Sequence, residues 1–381
     1  MSAPEKLAVI AAGGTGGHLF PARALAGELR NRDIGLALIT DKRAAGISGA
    51  LANIDVYRIH ASGVSGRNIF QRLLAILSLG IGFIQAALLL RRLKPDVVVG
   101  FGSYASVPTV LAAALLGFRT VIHEQNAILG RANRLLAPRV TRIATAFEFV
   151  ANLRAKDRQK AVWTGNPVRP EIIAVAGKKY PPIAPGEPLH ILIFGGSQGA
   201  TIFSEVVPKA LAMLPEQERE RLHITQQCRE EDIAQVRSAY RMCRINAELS
   251  PFFNDMADKI STAHLVICRA GASTLAEVAT AGRPAILVPF PHAIDDHQTR
   301  NAQGLCDAGG GWMIPQDAFT PETLSNRLIS LFSIERTLES AAKCATKISM
   351  AEAASRLAKL VTETLSAENQ SHHSATNGAA A

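Results

Sequence analysis

The run Leu7-Ala8-Val9-Ile10-Ala11-Ala12-Gly13-Gly14-Thr15-Gly16-Gly17-His18-Leu19-Phe20-Pro21 decides the fold. Six apolar residues make a buried strand, and four glycines in the next five positions make a loop. Ala22-Arg23-Ala24-Leu25-Ala26-Gly27-Glu28-Leu29 continues as a helical pattern. Pro21 is read as the first helical residue, where a missing N–H costs nothing. Glycines let the backbone approach a ligand closely, and a helix start offers N–H donors and a positive dipole end. A tight turn without a ligand would explain a lone glycine pair, but four glycines with His18 beside them point to a site. The dinucleotide pattern G-x-G-x-x-G fails, because Leu19 stands at its last glycine, and no Gly-Lys-Ser/Thr phosphate loop occurs.

Near the midpoint, Leu189-His190-Ile191-Leu192-Ile193-Phe194 enters Gly195-Gly196-Ser197-Gln198-Gly199-Ala200, which repeats the opening grammar. In a chain of 381 residues, two such units predict two doubly wound α/β domains. Further buried strands are expected at residues 35–40, 55–59, 95–100, 120–123, 265–268 and 284–289. Asp41 follows the strand at residues 35–40, where a dinucleotide fold keeps its ribose acid, but with the fingerprint broken it reads as a loop residue. Gly100-Phe101-Gly102-Ser103-Tyr104-Ala105-Ser106-Val107-Pro108 reads as a second glycine- and serine-rich loop. The lysine- and proline-rich residues 178–188 read as a linker. Residues 366–381 lack periodicity and read as a disordered tail.

The formal charge of +9 asks for an anionic partner: nucleic acid, a membrane surface or a phosphorylated substrate. Few aromatics, no long basic run and no zinc-finger spacing make nucleic acid the weakest of these. Five cysteines without C-x-x-C spacing suit free thiols in a reducing compartment. No signal peptide is expected, since residues 7–12 are too short for its apolar segment. Residues 73–90 are apolar enough to pass for a transmembrane helix. A buried core helix is the plainer reading. The preferred one is an interfacial or partly buried helix, flanked by Arg67, Arg72, Arg91, Arg92 and Lys94 for anionic headgroups.

Taken in order, the His18 loop, His123-Glu124-Gln125-Asn126, Gly165-Asn166-Pro167-Val168-Arg169, the Gly195 loop and Gln298-Thr299-Arg300-Asn301-Ala302 resemble the MurG family of bacterial cell-wall glycosyltransferases. The likeness spans about residues 7–365. That family moves N-acetylglucosamine (GlcNAc) from UDP-GlcNAc to the C4 hydroxyl of undecaprenyl-pyrophosphoryl-MurNAc-pentapeptide. It has the GT-B architecture, two Rossmann-like doubly wound parallel-sheet domains facing an interdomain cleft. The resemblance implies an acceptor- and membrane-binding domain at residues 1–168 and a UDP-GlcNAc-binding domain at residues 169–345. It also implies a last helix at about 346–365 packing back on the first domain. The protein would sit peripherally on the cytoplasmic face of the inner membrane, with other cell-wall synthesis proteins as candidate partners.

For the donor, the resemblance implies contacts from Thr15, Gly16, Gly17 and Asn126, with Asn126 on the sugar. Arg169 and Ser197 would take its phosphates, and the backbone at Phe253 the uracil edge. Ala272, Ser273, Thr274, Leu275 and Ala276 would line the nucleotide, Glu277 would accept both ribose hydroxyls, and Gln298 would read the sugar. Gly14, Ser103, Tyr104 and Ser106 would hold the acceptor pyrophosphate. Several residues in these motifs also have a plainer reading. Ser197 suits a helix cap, Thr274 and Glu277 have capping-box spacing, and His123 reads as a satisfied strand-end histidine. For Ser197 and Glu277 the ligand reading is preferred, since site residues concentrate in loops over a sheet edge.

No Asp-x-Asp pair and no His/Cys spacing of a metal site occurs, so neither a metal nor a cofactor is expected. The leaving UDP would then be stabilised by loop N–H groups, helix dipoles and Arg169. His18 is the first candidate for the base, because an ordinary histidine titrates near neutral pH, and Glu124 is the second. The expected step is one displacement with inversion, its stereochemistry implied by the family. Two alternatives stand beside it: another GT-B enzyme, such as a UDP-sugar glycolipid transferase or a UDP-GlcNAc 2-epimerase, and a non-catalytic nucleotide binder at a membrane surface.

Overall fold

The computed structural model describes residues 6–13, 16–41, 51, 54–61, 69–183, 186–196 and 199–366. Gly14, Thr15, Ser197, Arg67 and residues 367–381 therefore lie outside the described residues, and so does the tail reading. The chain divides into two compact units, Met1–Pro167 with Glu352–Ala381, and Val168–Ala351.

In the first unit the described strands are β1 (Leu7–Ala11), β2 (Gly35–Thr40), β3 (Asp55–Arg58), β4 (Val97–Gly100), β5 (Arg119–Glu124), β6 (Arg142–Thr145) and β7 (Ala161–Trp163). Its helices are α1 (Gly16–Arg30), α2 (Ile69–Leu93), α3 (Ser103–Leu115), α4 (Arg131–Leu136) and α5 (Ala155–Arg158). The strands are all parallel, in the order β3-β2-β1-β4-β5-β6-β7. β1 is central, pairing Ala8 with Leu36 on one side and Val97 on the other. Alternate side chains of a strand leave by opposite faces, so Ala8 and Ile10 enter one core while Val9 and Ala11 enter another. Helices cover both faces, which is why the opening run is apolar without alternation.

The second unit repeats this plan with β8 (Leu189–Phe194), β9 (Leu222–Gln227), β10 (Asn246–Ser250), β11 (Leu265–Cys268), β12 (Ala285–Leu287) and β13 (Gly311–Met313). Its helices are α6 (Pro170–Ile173), α7 (Thr201–Ala212), α8 (Glu216–Glu220), α9 (Ile233–Met242), α10 (Met256–Thr262), α11 (Ala272–Thr280), α12 (His297–Asp307), α13 (Pro321–Ser333) and α14 (Thr337–Lys347). The order is β10-β9-β8-β11-β12-β13, again all parallel. In both sheets the chain reverses its winding beside the strand that ends in a glycine loop, between β1 and β4 and between β8 and β11. Ligands of open α/β sheets bind at the carboxyl ends of such strands.

The last helix, α15 (Ala353–Ser366), belongs to the first unit and packs on α1. It buries Leu357, Leu360, Val361 and Leu365 among Leu25 and Leu29, each burial stabilising by about 1.5–3 kcal/mol. Arg32 donates to the carbonyl and hydroxyl of Ser355 at 3.1 Å, and Arg119 donates to the Leu365 carbonyl.

Three expectations need correction. Pro21 is the sixth residue of α1, which starts at Gly16. The expected loop of residues 103–108 is the first two turns of α3, with Pro108 inside it. α3 begins at once after the Gly102 turn, and in both helices the proline lies early enough to forfeit a single bond back to residue 17 or 104. Residues 178–183 are not a free linker either. The Tyr180 hydroxyl donates to the His264 carbonyl at 2.8 Å, which ties this stretch to the second unit's sheet.

Among the described residues, α2 alone is long and apolar enough to cross a membrane, and 22% of its most apolar window is buried. Ala86 and Leu90 enter the first unit's core, and Gln85 accepts from the His60 N–H at 2.9 Å. Leu74, Leu77, Ile81, Ile84 and Leu88 lie at alternating steps of three and four residues and are all exposed. That spacing makes one stripe along the helix, about 21 Å long. Arg91, Arg92 and Lys94 follow it and are exposed.

Candidate active site

In the first unit, three strand ends bring the residues together. α1 is the next described element after β1 and carries His18 in its first turn. α3 leaves β4 through Gly102, at φ 78°, and Ser103, at φ 62°, a left-handed conformation that strains a residue with a side chain. Gly13 makes room for that turn, since a Cβ there would sit 2.7 Å from the Ser103 Oγ. A Cβ on Gly102 would lie 3.7 Å from the His18 ring and from Asn133 Nδ2. Ser106 is buried and donates from its hydroxyl to the Ser103 carbonyl at 3.1 Å. Tyr104, in the first turn of α3, is half-buried.

Glu124 ends β5 and is 2% exposed. Its Oε1 accepts from the Asn126 N–H at 2.9 Å and from Asn126 Nδ2 at 3.2 Å. Its Oε2 accepts from the Gly130 N–H at 2.8 Å and from Asn133 Nδ2 at 2.9 Å. Burial pushes the carboxyl pKa up, and these four hydrogen bonds oppose the rise. The carboxylate thus organises the whole turn from Asn126 to Asn133, and Asn126 is held by it at two points.

His123 is fully buried, with Nε2 at 3.0 Å from the Gly165 carbonyl and its ring 5.6 Å from that of Phe101. The expected strand-end histidine is thus met by backbone at Nε2 alone, while its Nδ1 is buried without a hydrogen-bond partner. Burial is the main cause that lowers its pKa to about 4, and the charge of His18 adds to the effect. An unfolded histidine takes a proton near 6.5, so the stability that His123 contributes is intact above that pH. It is lost as pH falls from there through about 4, by up to about 3 kcal/mol. Urea midpoints measured between pH 7 and pH 4 will decline accordingly; a flat profile would contradict this account of the buried imidazole.

In the second unit, β8 ends in Gly195 and Gly196, the latter at φ 92°, with Gly199 at φ 68°. Gly195 has no room for a side chain, because a Cβ would stand 2.5 Å from the Ala200 nitrogen. Gln227, at the end of β9, accepts from the Gly195 N–H at 3.2 Å and donates to the Pro251 carbonyl at 3.1 Å. One amide therefore ties the glycine loop to the segment that leads into Phe253, which is buried with Lys259 over its ring. Substituting Gly195 with alanine will push the loop off the Ala200 backbone and, if the loop holds the UDP that the family resemblance implies, weaken UDP binding at least about tenfold by calorimetry. Unchanged affinity would mean that the loop does not touch the nucleotide.

α11 starts at the second switch point with Gly271 as its N-cap, so Ala272, Ser273 and Thr274 present the first N–H groups of the helix. The capping-box reading of Thr274 and Glu277 fails, because Glu277 lies in the second turn and its carboxylate turns to Arg169. Arg169 Nε meets Oε1 and Nη2 meets Oε2, both at 2.7 Å. Leu275 is buried and Ala276 half-buried along the same helix. Gln298 is the second residue of α12, and its side-chain oxygen accepts from the Phe290 N–H at 2.9 Å. Just before it Asp295 and Asp296 both adopt positive φ, 56° and 52°, and Thr299 donates to Asp296 at 2.7 Å. His297 is turned to the Ile294 carbonyl at 2.8 Å.

Three supporting residues escaped the sequence reading. Asn133 and Gln227 have the roles given above. Arg269 is buried, reaches the Val288 and Pro289 carbonyls at 3.2 Å and Gln316 at 2.6 Å, and stacks 5.4 Å from the Phe290 ring. It thereby fixes the loop that leads to Gln298. The available signal was a polar residue at a strand end, in Gln227 and Arg269. Among the described residues no group of three or more His, Cys, Asp or Glu side chains is placed to hold a metal ion.

Comparison with known proteins matches residues 8–145 to the glycosyltransferase family 28 N-terminal domain and residues 190–359 to the family 28 C-terminal domain. A relative from Rhodospirillum rubrum, named UDP-N-acetylglucosamine--N-acetylmuramyl-(pentapeptide) pyrophosphoryl-undecaprenol N-acetylglucosamine transferase, is 54% identical over 96% of this chain and 93% of its own. A relative of the same name from Paramagnetospirillum magneticum is 52% identical over 95% of this chain and 97% of its own. The crystal structure of Acinetobacter baumannii MurG superposes with a TM-score of 0.75 at 32% identity, covering 94% of this chain and 99% of that one. With both domains matched and about half of all positions shared with such relatives, the chain belongs to glycosyltransferase family 28 and, within it, to the MurG branch.

Proposed function

We propose that this chain is an inverting glycosyltransferase of peptidoglycan synthesis. It moves GlcNAc from UDP-GlcNAc to the C4 hydroxyl of MurNAc in undecaprenyl-pyrophosphoryl-MurNAc-pentapeptide. The observation that carries this reading is the 54% identity, across 96% of the chain, to a relative named for that transfer. Two glycine-lined strand ends, one at each sheet's switch point, support it, because both substrates carry a diphosphate.

The acceptor C4 oxygen attacks the anomeric carbon while the bond from that carbon to the β-phosphate oxygen breaks. His18 takes the hydroxyl proton, and UDP leaves with the electron pair. Negative charge grows on the departing diphosphate. The N–H groups of the Gly195 loop with Ser197, and the start of α11 at Ala272, Ser273 and Thr274, meet it with preorganised dipoles. The backbone at Phe253 reads the uracil edge and the Glu277 carboxylate accepts the ribose hydroxyls. Asn126 and Gln298 bond the sugar, with Thr15, Gly16 and Gly17 close to it. Gly14, together with Ser103, Tyr104 and Ser106 from the start of α3, takes the acceptor pyrophosphate. Glu124 works as a positioning residue for Asn126, since its four bonds leave it poorly placed to accept a substrate proton.

The acceptor's polyprenyl chain keeps its reacting sugar at a bilayer. The exposed stripe on α2, with Arg91, Arg92 and Lys94 beyond it, suits peripheral attachment to the anionic cytoplasmic face of the inner membrane. A spanning α2 would pull Ala86 and Leu90 out of the first unit's core.

Labelled UDP-GlcNAc incubated with and without the lipid-linked MurNAc-pentapeptide tests the proposal. Label moves into the lipid fraction only when the acceptor is present. Free sugar released without lipid would instead mark an epimerase, and UDP binding with no turnover a nucleotide binder.

A further inference from the structure

We propose that Arg169 is a positioning residue for recognition of the donor's ribose, acting through Glu277, and that it is not a phosphate ligand. This rests on the reading of Glu277 as the ribose acceptor. Arg169 occupies the N-cap of α6, where Pro170 follows as the first helical residue and Ile172 is fully buried in the second unit's core. Its backbone is therefore anchored, and α6 packs against α11, which carries Glu277. The two side chains are 108 positions apart in sequence and meet as a planar two-point fork, Nε on Oε1 and Nη2 on Oε2, both at 2.7 Å. They are 18% and 8% exposed.

That geometry does two things for a carboxylate that must accept two neighbouring hydroxyls. It fixes the plane of the carboxylate, because a fork on both oxygens resists rotation about the last side-chain bond. It also fixes where the carboxylate stands, because the guanidinium that holds it hangs from the anchored start of α6, which packs against α11. Each ionised oxygen has room for more than one hydrogen bond, so the fork takes one site on each and leaves another on each for a hydroxyl. Burial pulls the Arg169 pKa down and the bonds to Glu277 more than restore it, so the guanidinium stays charged and its charge is already compensated. A cation neutralised in this way attracts a diphosphate weakly.

Calorimetry with UDP, 2′-deoxy-UDP and UMP on the purified full chain tests the assignment, in wild type, Arg169→Gln, Arg169→Lys, Glu277→Gln and the double Arg169→Gln/Glu277→Gln. Wild type will prefer UDP over 2′-deoxy-UDP by about tenfold or more. In Arg169→Gln that preference will shrink to within about twofold while the UDP-to-UMP ratio holds, and Arg169→Lys will behave alike because an ammonium cannot fix the carboxylate plane. Adding Arg169→Gln to Glu277→Gln will change neither ratio further. A retained ribose preference with a UDP-to-UMP ratio reduced about tenfold would restore the phosphate role and overturn the proposal. A lower melting temperature with both ratios intact would reduce the pair to a structural one, which also overturns it. If Glu277→Gln itself keeps the ribose preference, the reading of Glu277 fails and takes this inference with it. Should Arg169→Gln not fold, Arg169→Lys and the charge-balanced double variant decide by the same ratios.

Discussion

Replacing His18 with alanine lowers kcat by about 10²–10⁴-fold and leaves the Kd for UDP within about threefold of wild type. The size follows from the role. A general base positioned at the attacking hydroxyl contributes that much, and UDP lacks the hydroxyl on which the base acts. The proposed role of His18 as base has support from its neighbours. Glu124 has both oxygens occupied by Asn126, Gly130 and Asn133, and burial disfavours its charged form. His18 sits in the first turn of α1, against the Gly102 turn and the Asn133 amide. The nearby His123 is held neutral by burial, so no second positive charge opposes His18 when it accepts its proton. Glu124→Gln will also slow turnover, but through Asn126, so it will raise KM for UDP-GlcNAc as well as lower kcat. Turnover in His18→Ala within about threefold of wild type would remove the imidazole from the chemistry.

The parts of the fold that were legible in the sequence share one property: their local pattern has a single tertiary use. Residues 35–40, 189–194 and 265–268 are mostly apolar runs of strand length, interrupted only by His190 and by Thr40 at an end, and β2, β8 and β11 occupy those bounds. The glycines after Ala12 and Phe194 mark both switch points for the same reason, since only a close turn or a ligand uses them. What stayed hidden had a pattern with two uses. Ser103-Tyr104-Ala105-Ser106 reads as a loop by composition, yet the turn at Gly102 and the buried face Ala105-Ser106-Thr109 make it helix. β9 ends in Thr225-Gln226-Gln227 and β10 is half exposed, so neither has the apolar run that announces a strand. The fork between Arg169 and Glu277 depends on two residues far apart in the chain, and no local pattern encodes it. Candidate site residues stand out locally by type, but the side chains that hold them in place do not.

Changing Leu77, Ile84 and Leu88 together to serine will cut affinity for anionic phospholipid vesicles by about 10²–10³-fold. These three side chains are 62%, 59% and 62% exposed, so they contribute little to the first unit's core, and the melting temperature will stay close to wild type. Complete burial of a leucine or isoleucine stabilises by about 1.5–3 kcal/mol, and roughly half of each of these surfaces is available to lipid. Three such losses amount to about 3–4 kcal/mol, which is the predicted drop in affinity. Neutralising Arg91, Arg92 and Lys94 removes a different component, about 1 kcal/mol for each charge near an anionic surface, and only that component fades as salt rises. The two sets of variants therefore separate insertion from attraction. Turnover on a short-chain, water-soluble acceptor will be unchanged in the serine variant, because α2 then has no bilayer to find. On acceptor embedded in vesicles, turnover will fall with the lost binding. Equal vesicle binding by wild type and the triple variant would mean that the stripe meets another protein surface instead, since an apolar ridge of this length left in water needs some cover.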